Sequence, residues 1–255
     1  MKVVCRVNNL CFSYIRGRQI LSGISFSVRQ GELVGILGKN GSGKSTLLNI
    51  IAGFHSNYEG NVVINEKEMK GITLKERAKT ISYIQQKKIV IPDYYKTEDF
   101  IMEGRRPFRN LGIYTKDDYD MLEHTMKECG VADFYGRYIN DLSGGELQRC
   151  VFARAIMKQS SLYLFDEPCS AMDIKYQKDF FWAVETIKET KSCAILITIH
   201  DINLAIQNCD RIILLDDGRI IYNGNSREIT SALLSEAFDT PVKTNPYPNL
   251  RYFYY

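Results

Sequence analysis

The run Gly38-Lys39-Asn40-Gly41-Ser42-Gly43-Lys44-Ser45-Thr46 is the stretch of this chain best suited to chemistry. It fits the spacing glycine, four residues, then Gly-Lys-Ser/Thr, in which backbone N–H groups curl around a polyphosphate. Gly38, Asn40, Gly41, Ser42, Gly43, Lys44, Ser45 and Thr46 are therefore candidate phosphate-binding residues. Lys44 would neutralise the β- and γ-phosphates, and the Ser45 hydroxyl would ligate Mg²⁺. Such a loop works between a strand and a helix, where the helix N-terminus adds its positive dipole end. Leu33–Leu37 is a short apolar run of the kind that forms a buried strand. Lys44–Ala52 has apolar residues at 47, 48, 50 and 51, with Gly53 placed to end a helix.

Leu164-Phe165-Asp166-Glu167-Pro168 adds an apolar strand ending in paired carboxylates. Strands often end in acidic turns, so the pair carries little by itself. Beside a phosphate loop it supplies two roles: Asp166 to hold Mg²⁺ through water, and Glu167 to orient and deprotonate an attacking water. In Leu142-Ser143-Gly144-Gly145-Glu146-Leu147-Gln148-Arg149, Ser143 is a helix N-cap candidate and Glu146 follows at capping-box spacing. A well-capped helix is one reading. Two glycines at a capped start also leave backbone and dipole open to an anion. One phosphate loop binds one triphosphate, so Ser143, Gly144 and Gly145 form a second anion site without a ligand of its own. A head-to-tail dimer would explain it, each copy lending this helix end to the other's nucleotide.

Behind these motifs the chain reads as strands at Val3–Val7, Leu10–Tyr14 and Ile24–Val28, with a hairpin-like break at Arg16-Gly17-Arg18. Further strands are expected at 60–66, 81–84, 162–165, 194–199 and 212–215, with a helix near 204–208. Residues from about 87 to 141 turn charged and aromatic with helical spacing at 97–104 and 117–129, as in a helical insertion. A short helix at 231–238 precedes a Pro- and Tyr-rich tail. Strand–helix alternation argues for a largely parallel sheet wrapped by helices. The 255 residues hold 33 basic and 30 acidic side chains, a net charge of +3 too balanced to imply nucleic acid or a polybasic membrane patch. Seven scattered cysteines without Cys-x-x-Cys spacing read as reduced, mostly buried thiols, and no metal site is suggested by them or by His55, His124 and His200. No signal peptide and no run of 18 apolar residues is present, so the expectation is a soluble intracellular protein.

Leu142–Arg149 matches LSGGE-x-QR, and with the phosphate loop and the Asp166-Glu167 pair in order the sequence resembles an ATP-binding cassette (ABC) protein over nearly its whole length. The resemblance implies an α/β fold. Its core would be P-loop NTPase (RecA-like), with an N-terminal antiparallel β-subdomain and an inserted α-helical subdomain. The expected partition is one ABC ATPase domain: residues 1–86 and 161–226 as nucleotide-binding core with β-subdomain, 87–160 as helical subdomain, and 227–255 as C-terminal helix and tail. The implied ligands are ATP and Mg²⁺. Tyr14 matches the aromatic residue that stacks on adenine. Gln86 matches the glutamine that contacts Mg²⁺ and attacking water, with Gln85 beside it in place of a common proline. Ser170-Ala171-Met172-Asp173 matches the loop that communicates across the dimer, with Met172 for leucine and, just before the loop, Cys169 for threonine. His200 matches the switch histidine that contacts the γ-phosphate, although a lone strand-end histidine is more often structural. His55 and His124 lack such context and read as surface residues. The resemblance thus makes Glu167, His200, Gln86 and Lys44 catalytic, Asp173 a nucleotide-site residue, and Ser45, Gln86 and Asp166 the metal set.

Glu103-Gly104-Arg105-Arg106-Pro107, Ile199–Ala205 and Cys209-Asp210-Arg211 are similar to the ABC subfamily serving iron–siderophore, haem and vitamin B12 importers. That implies a homodimer working with multi-spanning permease subunits and, indirectly, an external binding protein, at the inner face of the cell membrane. The positive cluster at 105–109 reads either as a solvated loop or as a surface for that permease. The alternative is a soluble ABC-type ATPase of DNA maintenance or iron–sulfur assembly. DNA-maintenance heads carry long coiled coils between phosphate loop and signature; here the gap is about a hundred residues without sustained heptads.

Overall fold

A computed structural model describes residues 2–15, 17–86, 91–92, 94–169, 173–191, 193–245 and 252–254. They fall into two compact units, 1–72 with 194–255, and 73–193.

The first unit opens with two long antiparallel strands, β1 (Val3–Ile15) and β2 (Arg18–Arg29), the expected short strands fused into one hairpin. Their alternating apolar residues put Val7, Leu10, Leu21, Ile24 and Val28 in the core at 0% exposure. The register shifts between Val7 and Leu10, where Asn9 takes a positive φ of 45°. β3 (Leu33–Leu37) follows and is buried at all five positions, as a central parallel strand must be. After the phosphate loop, α1 (Lys44–Ile51) buries Leu47, Leu48, Ile50 and Ile51 completely, each worth about 1.5–3 kcal/mol. β4 (Glu59–Ile64) and β5 (Lys67–Glu68) complete an antiparallel sheet of order β2-β1-β4-β5.

The second unit contains α2 (Leu74–Thr80), β6 (Ile81–Ile84), α3 (Thr97–Met102), α4 (Lys116–Glu128), α5 (Gly144–Met157), β7 (Leu162–Asp166) and α6 (Ile174–Lys191). β6 and β7 pair in parallel, Ile81 opposite Leu162 through Ile84 opposite Phe165. Phe152 of α5, Phe165 of β7 and Phe180 of α6 pack together, with ring centroids 4.8 and 5.8 Å from Phe180. A second anchor is ionic. Asp118 of α4 has a fully buried side chain that accepts from Arg105 Nε at 2.9 Å and from Arg109 Nη2 at 2.7 Å and Nε at 2.5 Å. This corrects the reading of the cluster at 105–109 as a surface: of its three arginines only Arg106 turns outward, paired with Glu103 at 3.0 Å.

The chain then returns to the first unit with β8 (Ala194–Thr198), α7 (Ile202–Asn208), β9 (Arg211–Asp216), β10 (Arg219–Asn225), α8 (Ser231–Phe238), β11 (Lys243–Thr244) and β12 (Phe253–Tyr254). β3 runs parallel between β8 and β9, and β10 returns antiparallel beside β9. Gly35 in β3 lets α7 lie close: a Cβ there would stand 2.8 Å from Cys209 Sγ. The fold is α/β, with an antiparallel β-part and a helical part, as the sequence predicts.

Candidate nucleotide site

The phosphate loop leaves the C-terminal end of β3. Gly38 has φ of +149°, and a Cβ on it would meet the Leu215 carbonyl oxygen at 2.2 Å, so no side chain fits. Gly43 caps α1 at φ 102°. Lys44 is 5% exposed, and its ammonium donates to the Gly38 and Lys39 carbonyls at 2.7 and 2.9 Å, folding the loop over its own side chain. The Ser42 hydroxyl is buried and has no hydrogen-bond partner among the described residues. A buried orphan oxygen costs stability unless something meets it. In a loop that leads directly into a helix N-terminus, a phosphate oxygen is the fitting group. Asn40 and Gly41 are exposed, and Ser45 is half-buried on the first turn of α1.

Tyr14, at the end of β1, is 55% exposed and has its hydroxyl 3.2 Å from Thr46 Oγ1, which ties an exposed aromatic residue to the phosphate-loop helix. His55 is half-buried rather than on the surface, with its ring 5.3 Å from Tyr14 and 5.1 Å from Phe12; His124 is exposed beside Glu128. His200 is exposed, two residues beyond Thr198. Thr198 stands opposite Ile36, itself two residues before Gly38, so His200 and the phosphate loop leave the same edge of the sheet.

The second unit repeats this device. Ile84 of β6 stands opposite Phe165 of β7, and two residues on from each lie Gln86 and Glu167. Gln86 Nε2 donates to Glu167 Oε2 at 2.5 Å. Glu167 holds φ at +53°, a conformation costing a non-glycine residue about 1–3 kcal/mol and concentrated at active sites. Asp166 ends β7 at 3% exposure. A buried carboxylate at a strand end is a hard-oxygen donor of the kind suited to Mg²⁺.

The start of α5 is capped as predicted. Ser143 N donates to Glu146 Oε2 at 2.8 Å, and Ser143 Oγ accepts from Glu146 N. The Ser143 donors hold the Glu146 carboxyl below its usual range. Ser143 and Gly144 are exposed, and a Cβ on either Gly144 or Gly145 would meet nothing within 4 Å. Gln148, on the same helix, donates to the Pro168 carbonyl at 3.3 Å, a link from the signature helix to the segment after Glu167 that no motif foretold. Asp173 caps α6, accepting from Tyr176 N at 3.0 Å; Ser170, Ala171 and Met172 lie outside the described residues. All seven cysteines are free thiols, and burial pushes those of Cys5, Cys150 and Cys169 up to about 12, away from reactivity.

The family model described as ABC transporter matches residues 21–170, more than half of the chain. The chain is 34% identical over 227 residues to an ABC transporter ATP-binding protein of Methanocaldococcus jannaschii, covering 89% of this chain and 87% of that one. It is 32% identical to a hemin import ATP-binding protein of Streptomyces coelicolor, covering 92% and 83% respectively. A solved dimeric post-hydrolysis ATP-binding cassette bound to ADP and phosphate superposes with a TM-score of 0.77 at 27% identity, covering 88% of this chain and 100% of that one. With the loop, the carboxylate pair and the capped signature helix in place, the chain belongs to the ABC transporter family, as an ATP-binding, ATP-hydrolysing subunit.

Proposed function

We propose that this chain powers uptake of a metal chelate, such as iron–siderophore or haem, or of cobalamin, through a multi-spanning permease at the inner face of the cell membrane. The observation that carries this reading is the likeness to the hemin import subunit over 92% of the chain. The residues Glu103–Pro107 and Ile199–Ala205 support it. An external binding protein would deliver the cargo to the permease.

In this reading Lys44 exchanges the Gly38 and Lys39 carbonyls for the β- and γ-phosphates, and Ser42 gains the partner it lacks. Tyr14 offers its ring to adenine. Ser45, Gln86 and Asp166 would hold Mg²⁺, which would neutralise phosphate charge when bound. Glu167 takes the proton of the attacking water, Gln86 fixes the Glu167 carboxylate, and His200 contacts the γ-phosphate. Ser143, Gly144 and Gly145 serve the nucleotide of a second copy in a head-to-tail homodimer, across which Asp173 communicates. This is positioning and electrostatic stabilisation rather than covalent catalysis.

The test is capture of a tagged chain from native membranes. A co-purifying multi-spanning protein whose presence raises ATP turnover is expected. Recovery with DNA or with soluble iron–sulfur assembly factors instead would overturn the transport reading.

A further inference from the structure

The C-terminal end of the chain is fastened to the helix that follows His200. Asn203, in the first turn of α7, donates from Nδ2 to the Phe253 carbonyl at 2.9 Å and accepts from Phe253 N at 2.8 Å. One side-chain amide thus pairs with both backbone groups of a residue 50 positions later, as a neighbouring strand would. Phe253 is 2% exposed, so the contact is packed as well as bonded. β12, which contains it, pairs antiparallel with β11, Thr244 opposite Phe253, and Asn245 N donates to Tyr252 O at 2.9 Å.

A helix of seven residues does not hold itself in place. Ala205 of α7 and Cys209 just beyond it lie against Gly35 of β3. At its start, Asp201 Oδ1 accepts from Leu204 N at 2.9 Å, which fixes the residue beside His200 to the first turn. Ile202 and Ala205 are buried beneath the turn, and Asn203 adds to that packing a two-bond tie to the C-terminal segment. We propose that Asn203 and Phe253 are a positioning pair, a latch through which the C-terminal segment sets the placement of His200 for hydrolysis. The inference rests on the reading of His200 as the γ-phosphate contact. Neither residue reaches the nucleotide in this account, so the latch acts on turnover and leaves nucleotide capture to the phosphate loop.

The experiment uses the full chain with Asn203→Ala, Phe253→Ala and Phe253→Met, and with Tyr254→Ala as a control at an exposed neighbour. Fluorescent ATP-analogue affinity, kcat and amide exchange across Ile202–Asn208 are measured for each. A misplaced catalytic group is costly in rate, so both alanine variants should lose about tenfold in kcat. Exchange in α7 should quicken and nucleotide affinity stay unchanged. Phe253→Met, which keeps an apolar side chain in the buried position, should restore most of the rate, and Tyr254→Ala should match the parent. Adding Phe253→Ala to His200→Ala should cost nothing further, because both act through one group. Parental kcat in both alanine variants, or losses that add to that of His200→Ala, would overturn the latch while leaving His200 in its role. A His200→Ala chain that hydrolyses at the parental rate would overturn the His200 reading, and the latch with it.

Discussion

Gln86 and Glu167 meet side chain to side chain at 2.5 Å although 81 residues separate them, because each lies two positions past a residue of one parallel register pair, Ile84 opposite Phe165. The strand pair thus aims both groups before any ligand arrives. The left-handed backbone of Glu167 places strain at this same point.

Glu167→Gln separates water activation from nucleotide binding. The new side chain still offers an oxygen to Gln86 Nε2, so the local hydrogen bond survives and stability should stay within about 0.5 kcal/mol of the parent. Removing the proposed general base should lower turnover by about 10²–10⁴-fold. ATP affinity should persist, and a stable nucleotide-bound dimer should accumulate in size-exclusion runs with ATP. Parental turnover in this variant would remove Glu167 from the proposed chemistry.

Gly145→Ala tests whether the start of α5 receives a ligand from outside its own chain. Gly145 has no positive φ, and an added Cβ meets nothing within 4 Å, so the fold itself does not demand glycine here. Alanine in a helix is favoured over glycine by up to about 1 kcal/mol, so thermal stability should hold or rise. Under the shared-site proposal hydrolysis should nonetheless fall at least tenfold, because the methyl group would obstruct the approach of a partner's phosphate to the helix end. Full activity with raised stability would mean that the open space serves no ligand.

Much of this arrangement was legible in residue order. β6 and α8 occupy the predicted spans 81–84 and 231–238, since a short apolar run and a capped apolar stripe each have one economical structure. α6 was not read from the sequence: the exposed Trp182 and Ile174 blur its polar face, and the buried stripe of Phe180, Phe181, Val184 and Ile187 emerges only once packing is known. The fate of Arg105 and Arg109 was equally hidden, because a charge run reads as solvated until a carboxylate nine or thirteen residues away is seen folded against it. Phe253 belonged to a tail read only as Pro- and Tyr-rich. Its burial and its bonds to Asn203 depend on a tertiary contact across 50 residues that no local spacing encodes.

Asp118 should govern the acid limb of stability. Arg109, the Thr115 backbone amide and Arg105 hold its carboxyl well below the usual carboxylate range. A depressed folded value contributes stability that is complete above the ordinary aspartate pKa of about 3.9 and lost as pH falls through the lower folded value. Asp118→Asn leaves Arg105 and Arg109 facing a neutral side chain. Breaking a buried pair costs about 3–5 kcal/mol, and the partial exposure of Arg109 argues for about 2–4 here. Chemical denaturation at pH 7 should show that loss, and between pH 5 and 3 the variant should lose less additional stability than the parent, in steps of about 1.4 kcal/mol per unit at most for one proton. Equal acid slopes would show that Asp118 titrates alike in the folded and unfolded chain.

Two inert chains should make one working site. Lys44→Ala removes the cation that folds the phosphate loop, while leaving Ser143, Gly144 and Gly145 intact. Ser143→Arg places a bulky cation over the exposed start of α5 while leaving the loop intact, and its capping hydroxyl is replaced at a cost of about 1 kcal/mol. In the proposed head-to-tail pairing, each homodimer then lacks one half of both composite sites. In a heterodimer, the loop of the Ser143→Arg chain faces the unaltered helix start of the Lys44→Ala chain, which completes one site of two. Random pairing at equal concentrations makes half the dimers mixed, so turnover should recover to about a quarter of the parent. Mass-tagged subunits measure the mixed fraction independently of activity. Confirmed heterodimers without recovered hydrolysis would show that each chain assembles its catalytic groups alone, and the open helix start would need another ligand.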